Sequence, residues 1–228
     1  MQVFHRALPG KEAIDLCVLS NNGSSVSQEF LKRLKENTDT SLYHLIWIDN
    51  GSTDNTKDIL IEYLKNNDNV TLIFNDDNKG VIGGRNQGFD FFLSSDSAAK
   101  YLLFLDNDQF VRKDWLPQHI SVMENSGSWN EYGLIGVEAW LLSSSYYPIR
   151  RSMSLKDHFT YIGCGGMMIK REVINIVGKF DTRFGKSWFE DPDYYIRAYD
   201  AGFQIGWNIC AKVDHVGHQT LGKQTDKR

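Results

Sequence analysis

Disulfides have no footing in this sequence. Cys17, Cys164 and Cys210 are odd in number and widely separated, with neither a C-x-x-C pair nor a zinc-ligand spacing, so buried free thiols in a reducing compartment are the expectation. Long hydrophobic runs are missing too. No stretch approaches the roughly 18 apolar residues that span a bilayer, and Met1 to Gly10 has no apolar segment of signal-peptide length, so a cytoplasmic protein is expected. A surplus of positive charge is also absent. With 25 Lys and Arg against 29 Asp and Glu the formal charge is −4, which argues against a nucleic-acid partner held by bulk electrostatics; an anionic small ligand would have to be gripped locally. No internal repeat, low-complexity tract or linker divides the chain, and the expectation is a single domain over residues 1–228. At this length roughly 70–75% of the unfolded surface can be buried, so no metal or disulfide is needed merely to fold.

What is present is alternation. Apolar, β-branched runs at Ile14 to Ser20, Tyr43 to Asp49, Val70 to Phe74 and Tyr101 to Leu105 read as strands. Helical patterns separate them: Phe30, Leu31 and Leu34 share one face of a helix starting near Ser27, and Ile59, Leu60, Tyr63 and Leu64 share another, with Thr53 or Asp54 as N-cap. A third helix runs through Arg85, Asn86, Phe89 and Phe92. This pattern predicts a layered α/β domain around a mostly parallel sheet. Farther on we expect a helix at Trp115 to Glu124, a strand at Leu134 to Trp140, a Gly-rich strand or turn at Tyr161 to Ile169, helices at Arg171 to Val177 and Pro192 to Ala201, and a last strand at Phe203 to Cys210. The polar, basic tail after Leu221 reads as a frayed end.

Open α/β sheets bind ligands at the carboxyl ends of their strands, and here several strands end in polar residues: Ser20 with Asn21, Asp49, and Asp106 with Asp108. Paired carboxylates in Asp106-Asn107-Asp108, directly after an apolar strand, are costly to desolvate without a cation; hard oxygen ligands suit Mg²⁺ or Mn²⁺. The glycines at 80, 83, 84 and 88 do not follow G-x-G-x-x-G, which excludes the dehydrogenase fingerprint. They leave a helix N-terminus with Arg85 one turn in, either a site for a diphosphate or a solvated helix charge. Glu190-Asp191, after Trp188-Phe189, opens another helix; its carboxylates are either caps or, beside an aromatic wall, a general base. His215 and His218 add two imidazoles that could ligate a metal.

These segments together resemble the family 2 glycosyltransferases from about Leu16 to Thr220. Trp47-Ile48-Asp49-Asn50-Gly51-Ser52-Thr53-Asp54 is similar to the family's second-strand signature. Asn78-Lys79-Gly80 through Gly84-Arg85-Asn86-Gln87-Gly88, Phe104-Leu105-Asp106-Asn107-Asp108, Val177-Gly178-Lys179-Phe180-Asp181 and Glu190-Asp191 follow in the family's order. The resemblance implies a GT-A fold: a Rossmann-like α/β/α sandwich with a mostly parallel sheet, its nucleotide-sugar half over about residues 1–110 and its acceptor half over about 111–220. It implies an inverting, metal-dependent transfer from a nucleotide-diphosphate sugar, UDP-sugar favoured, to a glycan or lipid-linked acceptor. Asp191 would be the base and Asp49 would meet the nucleotide base, with Ser20, Asn21, Gly80, Arg85, Asp106 and Asn107 also lining the donor site. Asp108 and His215 would hold Mn²⁺ or Mg²⁺ with help from Asp106, with His218 as fallback, and Trp188, Glu190, Gly165 and Gly166 would face the acceptor. Trp140, Tyr146, Tyr147, Phe159 and Tyr161 could stack on the acceptor or pack the core. The first strand departs from the pattern, ending in Leu19-Ser20-Asn21 where relatives often carry an aromatic. Other readings are a catalytically silent nucleotide-sugar-binding module, a retaining GT-A enzyme, and a sugar nucleotidyltransferase, although Asn21 to Ser25 lacks the basic phosphate loop the last requires. Through its basic tail the protein could also touch the inner face of a membrane.

Overall fold

The computed structural model describes residues 1–5, 14–94, 96–124, 132–143, 148–151 and 160–216. Strand β1 (Gln2–His5) precedes β2 (Ile14–Ser20), α1 (Ser24–Asn37), β3 (Tyr43–Asp49), α2 (Thr56–Lys65), β4 (Val70–Phe74), α3 (Gly80–Leu93), β5 (Tyr101–Asp106) and β6 (Gln109–Val111). Then come α4 (Trp115–Glu124), β7 (Tyr132–Gly136), β8 (Ala139–Leu142), β9 (Pro148–Arg151), β10 (Thr160–Ile162), β11 (Met168–Lys170), α5 (Arg171–Val177), α6 (Glu190–Asp200), β12 (Gln204–Trp207) and β13 (Val213–His215).

The main sheet has eight strands in the order β1-β4-β3-β2-β5-β11-β7-β12. Strands β4, β3, β2 and β5 are parallel, β12 is parallel to β7, and β1 and β11 run against their neighbours. A three-stranded sheet, β10-β8-β9, and a two-stranded one, β13-β6, flank it. Strands covered on both faces carry apolar residues almost without break, and their alternate side chains divide between two cores. Leu16, Val18, Leu45, Trp47 and Leu103 pack with Phe30, Leu34, Leu60 and Trp115 of α1, α2 and α4. Cys17, Ile46, Ile48, Leu102 and Phe104 pack with Phe89, Phe92, Ile174 and Tyr194 of α3, α5 and α6. Register then places the functional edge: Ser20 pairs with Asp49, and Leu19 with Asp106.

The structure corrects several boundaries. The strand expected at Leu134 to Trp140 is two, β7 and β8, in different sheets. The last expected strand shortens to β12, and β13 follows it. Strands β1 and β6, each of four residues or fewer, lack the length over which alternation can be read. The N-cap of α2 is Asn55, although Asp54 Oδ1 accepts from the backbone N–H of Thr56. Helix α6 starts at Glu190, two residues before Pro192. Cys17 and Cys164 are buried free thiols as expected, whereas Cys210 is exposed. Among the described residues no helix is long and apolar enough to cross a membrane.

Helix α3 lies close on β2 because Gly88 has no side chain: a Cβ there would stand 2.4 Å from Cys17 Sγ. Gly88→Ala is therefore expected to cost about 1–3 kcal/mol by overpacking. In a Cys17→Ala background most of that cost should disappear, which urea denaturation of the two single variants and the double variant would measure.

Candidate active site

Three polar turns meet at the carboxyl ends of β2, β3 and β4. Asn21 Nδ2 donates to the Asn50 carbonyl (2.8 Å), Asn78 Nδ2 to Asn21 Oδ1 (3.0 Å) and Asn50 Nδ2 to Asn78 Oδ1 (3.0 Å). Asn75 Nδ2 donates to Asn50 Oδ1 (3.2 Å), so side-chain amides lace the turns together without any charge. Gly51 permits their approach: its φ is +76°, and a Cβ would stand 2.7 Å from the Asp77 carbonyl carbon. Ser20 is buried with its hydroxyl accepting from Trp47 Nε1 (2.8 Å), which makes it part of the wall. Asp49 is fully buried; its Oδ2 accepts from the Ser52 N–H (3.1 Å), while Oδ1 has no hydrogen-bond partner. Burial raises its carboxyl above the ordinary range, against the opposing pull of Ser52.

The metal-type residues converge next. Strand β13 pairs with β6 so that His215 stands opposite Gln109, directly after the Asp106-Asn107-Asp108 turn. Gln109 Oε1 accepts from the Asp106 N–H (2.9 Å) and closes that turn. His215 Nε2 lies 3.3 Å from Asp108 Oδ1. Asp106, Asp108 and His215 can each offer one donor atom, all within 4.8 Å of one another. Two hard carboxylate oxygens and an imidazole nitrogen at that spacing fit a divalent cation such as Mn²⁺ or Mg²⁺. The carboxylates of Asp108 and then Glu138 push the His215 pKa up to about 10, against burial. Asn107 turns elsewhere, its Nδ2 donating to Ser27 Oγ (3.1 Å).

The second acidic pair stands across Arg85. That residue is neither solvated nor free: its guanidinium is buried, with Nη2 2.6 Å from Asp106 Oδ1 and Nη1 3.4 Å from Glu190 Oε1. Glu190 Oε2 is buried with no hydrogen-bond partner. Asp191 Oδ2 accepts from the Cys164 N–H (3.3 Å), and its pKa rises to about 7, first through burial and then through Glu190, with Arg85 pulling the other way. Trp188 (φ 80°) and Phe189 (φ 68°) hold left-handed backbone without being glycine, a cost of order 1–3 kcal/mol each that clusters at functional sites. Trp188, two residues before Glu190, is 58% exposed.

Several expected residues support from below. Gly166 N–H donates to the Phe104 carbonyl (2.7 Å), and Gly165 rests on Gln109, where a Cβ would lie 2.5 Å from Nε2. Gly80 closes against Lys186, whose carbonyl would be 2.5 Å from a Cβ there. Tyr161 is buried in the core and pairs with Trp140 across β10 and β8. His218, Tyr146, Tyr147, Phe159 and the basic tail lie outside the described residues. Glu138, in the β7–β8 connection with Oε2 3.7 Å from His215 Nδ1, was not singled out by sequence, because a lone carboxylate between short strands carries no spacing signal.

The family model described as glycosyl transferase family 2 matches residues 16–177. Over 174 residues the chain is 24% identical to the glycosyltransferase AglE of Haloferax volcanii, covering 72% of this chain and 54% of AglE. The chain thus spans about half the length of the curated relatives it matches. Its fold is similar to that of the mannosyltransferase PcManGT from Pyrobaculum calidifontis, solved with GDP-Man and Mn²⁺: TM-score 0.68 at 13% identity, over 94% of this chain and 60% of that one. It is also similar to GalNAc-T7, solved with UDP, GalNAc and Mn²⁺: TM-score 0.72 at 16% identity, over 90% and 44%. The fold is GT-A.

A native carboxyl with pKa about 7 binds a proton that the unfolded chain, at roughly 3.9, has already released, so Asp191 lowers stability progressively as pH rises from about 4 to 7. Asp191→Asn should therefore gain stability relative to the parent as pH goes from 5 to 8. Melting temperatures of the two proteins across that range would show the gap widening; a constant gap would contradict the assignment.

Proposed function

The chain belongs to glycosyl transferase family 2, and from that premise we propose that it moves a sugar from a nucleotide-diphosphate donor, UDP-sugar by preference, to an acceptor hydroxyl with inversion at the anomeric carbon. The observation that carries the reading is the meeting of two acidic groups around one buried cation. Asp106 and Asp108 stand with His215 on one side of Arg85, and Glu190 stands with Asp191 on the other.

The division of labour follows from the two environments. Asp191 takes the proton from the acceptor hydroxyl as that oxygen attacks; a carboxyl poised near 7 suits a base at neutral pH, and such catalysis contributes about 10²- to 10⁴-fold. The Cys164 N–H holds the Asp191 carboxylate in place. Glu190, Gly165 and Gly166 shape the acceptor side, and exposed Trp188 offers a flat apolar face to a glycan or to the sugar of a lipid-linked acceptor. On the donor side, the unpartnered Oδ1 of Asp49 suits the imide N–H of uracil, with Asn21 and Gly80 nearby on the laced turns. Asp108, His215 and Asp106 would hold a divalent cation, whose chemistry there is to offset the charge on the departing diphosphate. The presence of both acidic pairs, Asp106 with Asp108 and Glu190 with Asp191, favours the enzyme over a silent binding module.

Calorimetric titration of UDP, GDP, TDP and CDP, with Mn²⁺ and again with excess chelator, tests the donor half. Mn²⁺-dependent binding of UDP is expected. Binding of none by folded protein would overturn the reading. Asp191→Asn should lower transfer by at least about 10²-fold while UDP affinity stays within a few-fold. Transfer by that variant at more than a tenth of the parent rate would remove Asp191 from its role.

A further inference from the structure

We infer that Glu138 is a positioning residue for the metal centre, one that holds His215 from behind so that Nε2 faces the cation. The inference rests on the metal reading proposed above.

A histidine binds a cation through a neutral ring, with its proton on the other nitrogen, and a carboxylate or carbonyl behind the ring decides which nitrogen that is. Here the two nitrogens already have different neighbours. Nε2 faces Asp108 Oδ1 at 3.3 Å, and Nδ1 faces Glu138 Oε2 at 3.7 Å, beyond hydrogen-bond length and within ion-pair reach. Both carboxylates are largely buried, with side-chain exposures of 13% for Asp108 and 10% for Glu138, so little solvent screens the contact. Among the described residues the group whose donor atoms lie mutually within 4.8 Å comprises Asp106, Asp108 and His215, not Glu138. Glu138 thus meets the ring at Nδ1, the nitrogen that Asp108 does not face.

The backbone around Glu138 is anchored. Its carbonyl accepts from the Gly163 N–H (3.1 Å), and the neighbouring Val137 carbonyl accepts from Trp207 Nε1 (3.1 Å). Gly163 precedes Cys164, whose N–H holds Asp191, so one short segment braces the histidine of the metal group and leads to the base. Glu138 also borders a cavity of 420 Å³ lined by Trp207, Ile209, Ala211 and Lys212, which gives substituted side chains room.

The test is Mn²⁺ affinity, read by electron paramagnetic resonance of free Mn²⁺ with and without UDP. Glu138→Leu should weaken Mn²⁺ by about 10- to 100-fold, whereas Glu138→Gln, whose amide oxygen can still face Nδ1–H, should recover most of that loss. In a His215→Ala background, Glu138→Leu should change affinity less than twofold, because the residue acts only through the ring. A Glu138→Leu affinity within twofold of the parent overturns the inference. So does an equal loss in the His215→Ala background, which would make Glu138 a direct ligand. Parent protein that binds no Mn²⁺ would sink the metal reading and Glu138's role with it. Circular dichroism of each variant establishes that it is folded, and Glu138→Gln, nearly isosteric, keeps the comparison open if Glu138→Leu is not.

Discussion

One buried guanidinium organises this site. Arg85 arrives from α3, Asp106 from β5 and Glu190 from α6, and the two contacts of 2.6 and 3.4 Å draw those elements to one point. Carboxylates packed this closely repel one another unless a cation lies between them, and removing one partner of a buried pair typically costs about 3–5 kcal/mol. Arg85 reaches that position because α3 lies almost flush with β2. Gly84 and Gly88 face Leu19 and Cys17, where a Cβ would stand 2.4 Å from each. Small residues in a helix thus determine where a charge can sit at its end of the sheet.

The donor side is built on a different principle. Its turns are joined by Asn21, Asn50, Asn75 and Asn78 through hydrogen bonds of 2.8 to 3.2 Å, with no formal charge among them. These amides hold geometry without depending on ionic strength, while the charges nearby are Asp49, Lys57 and Asp54, whose carboxylate accepts from the Gly23 and Ser24 N–H groups. The acceptor side stores strain instead: Trp188 and Phe189 keep left-handed backbone so that Glu190 and Asp191 open α6 facing Arg85.

How much of this could be read from the sequence follows from range. The parallel strands were legible because burial on both faces writes a continuous apolar run, and their polar ends marked Asp49, Asp106 and Asp108 as edge residues. The glycosyltransferase resemblance supplied Asp191 and His215, which the structure brings within one site. Arg85's true environment was not legible, since its partners lie 21 and 105 positions away and no local pattern distinguishes a buried helix arginine from a solvated one. Glu138 was invisible for the same reason, and because the run from Leu134 to Trp140 reads as a single strand where the chain in fact breaks at Val137 and Glu138 to change sheets.

The pairing of β13 with β6 has a dynamic corollary. His215 reaches the aspartates on a strand of three residues whose ladder is with another of three, in a sheet separate from the eight-stranded one. Such a unit opens at a small fraction of the free energy needed to unfold the whole, so the ring's occupancy of its place is a local equilibrium. Any ligand that requires His215 in place pulls that equilibrium toward the closed form by mass action, and this short ladder becomes most ordered when the centre is loaded.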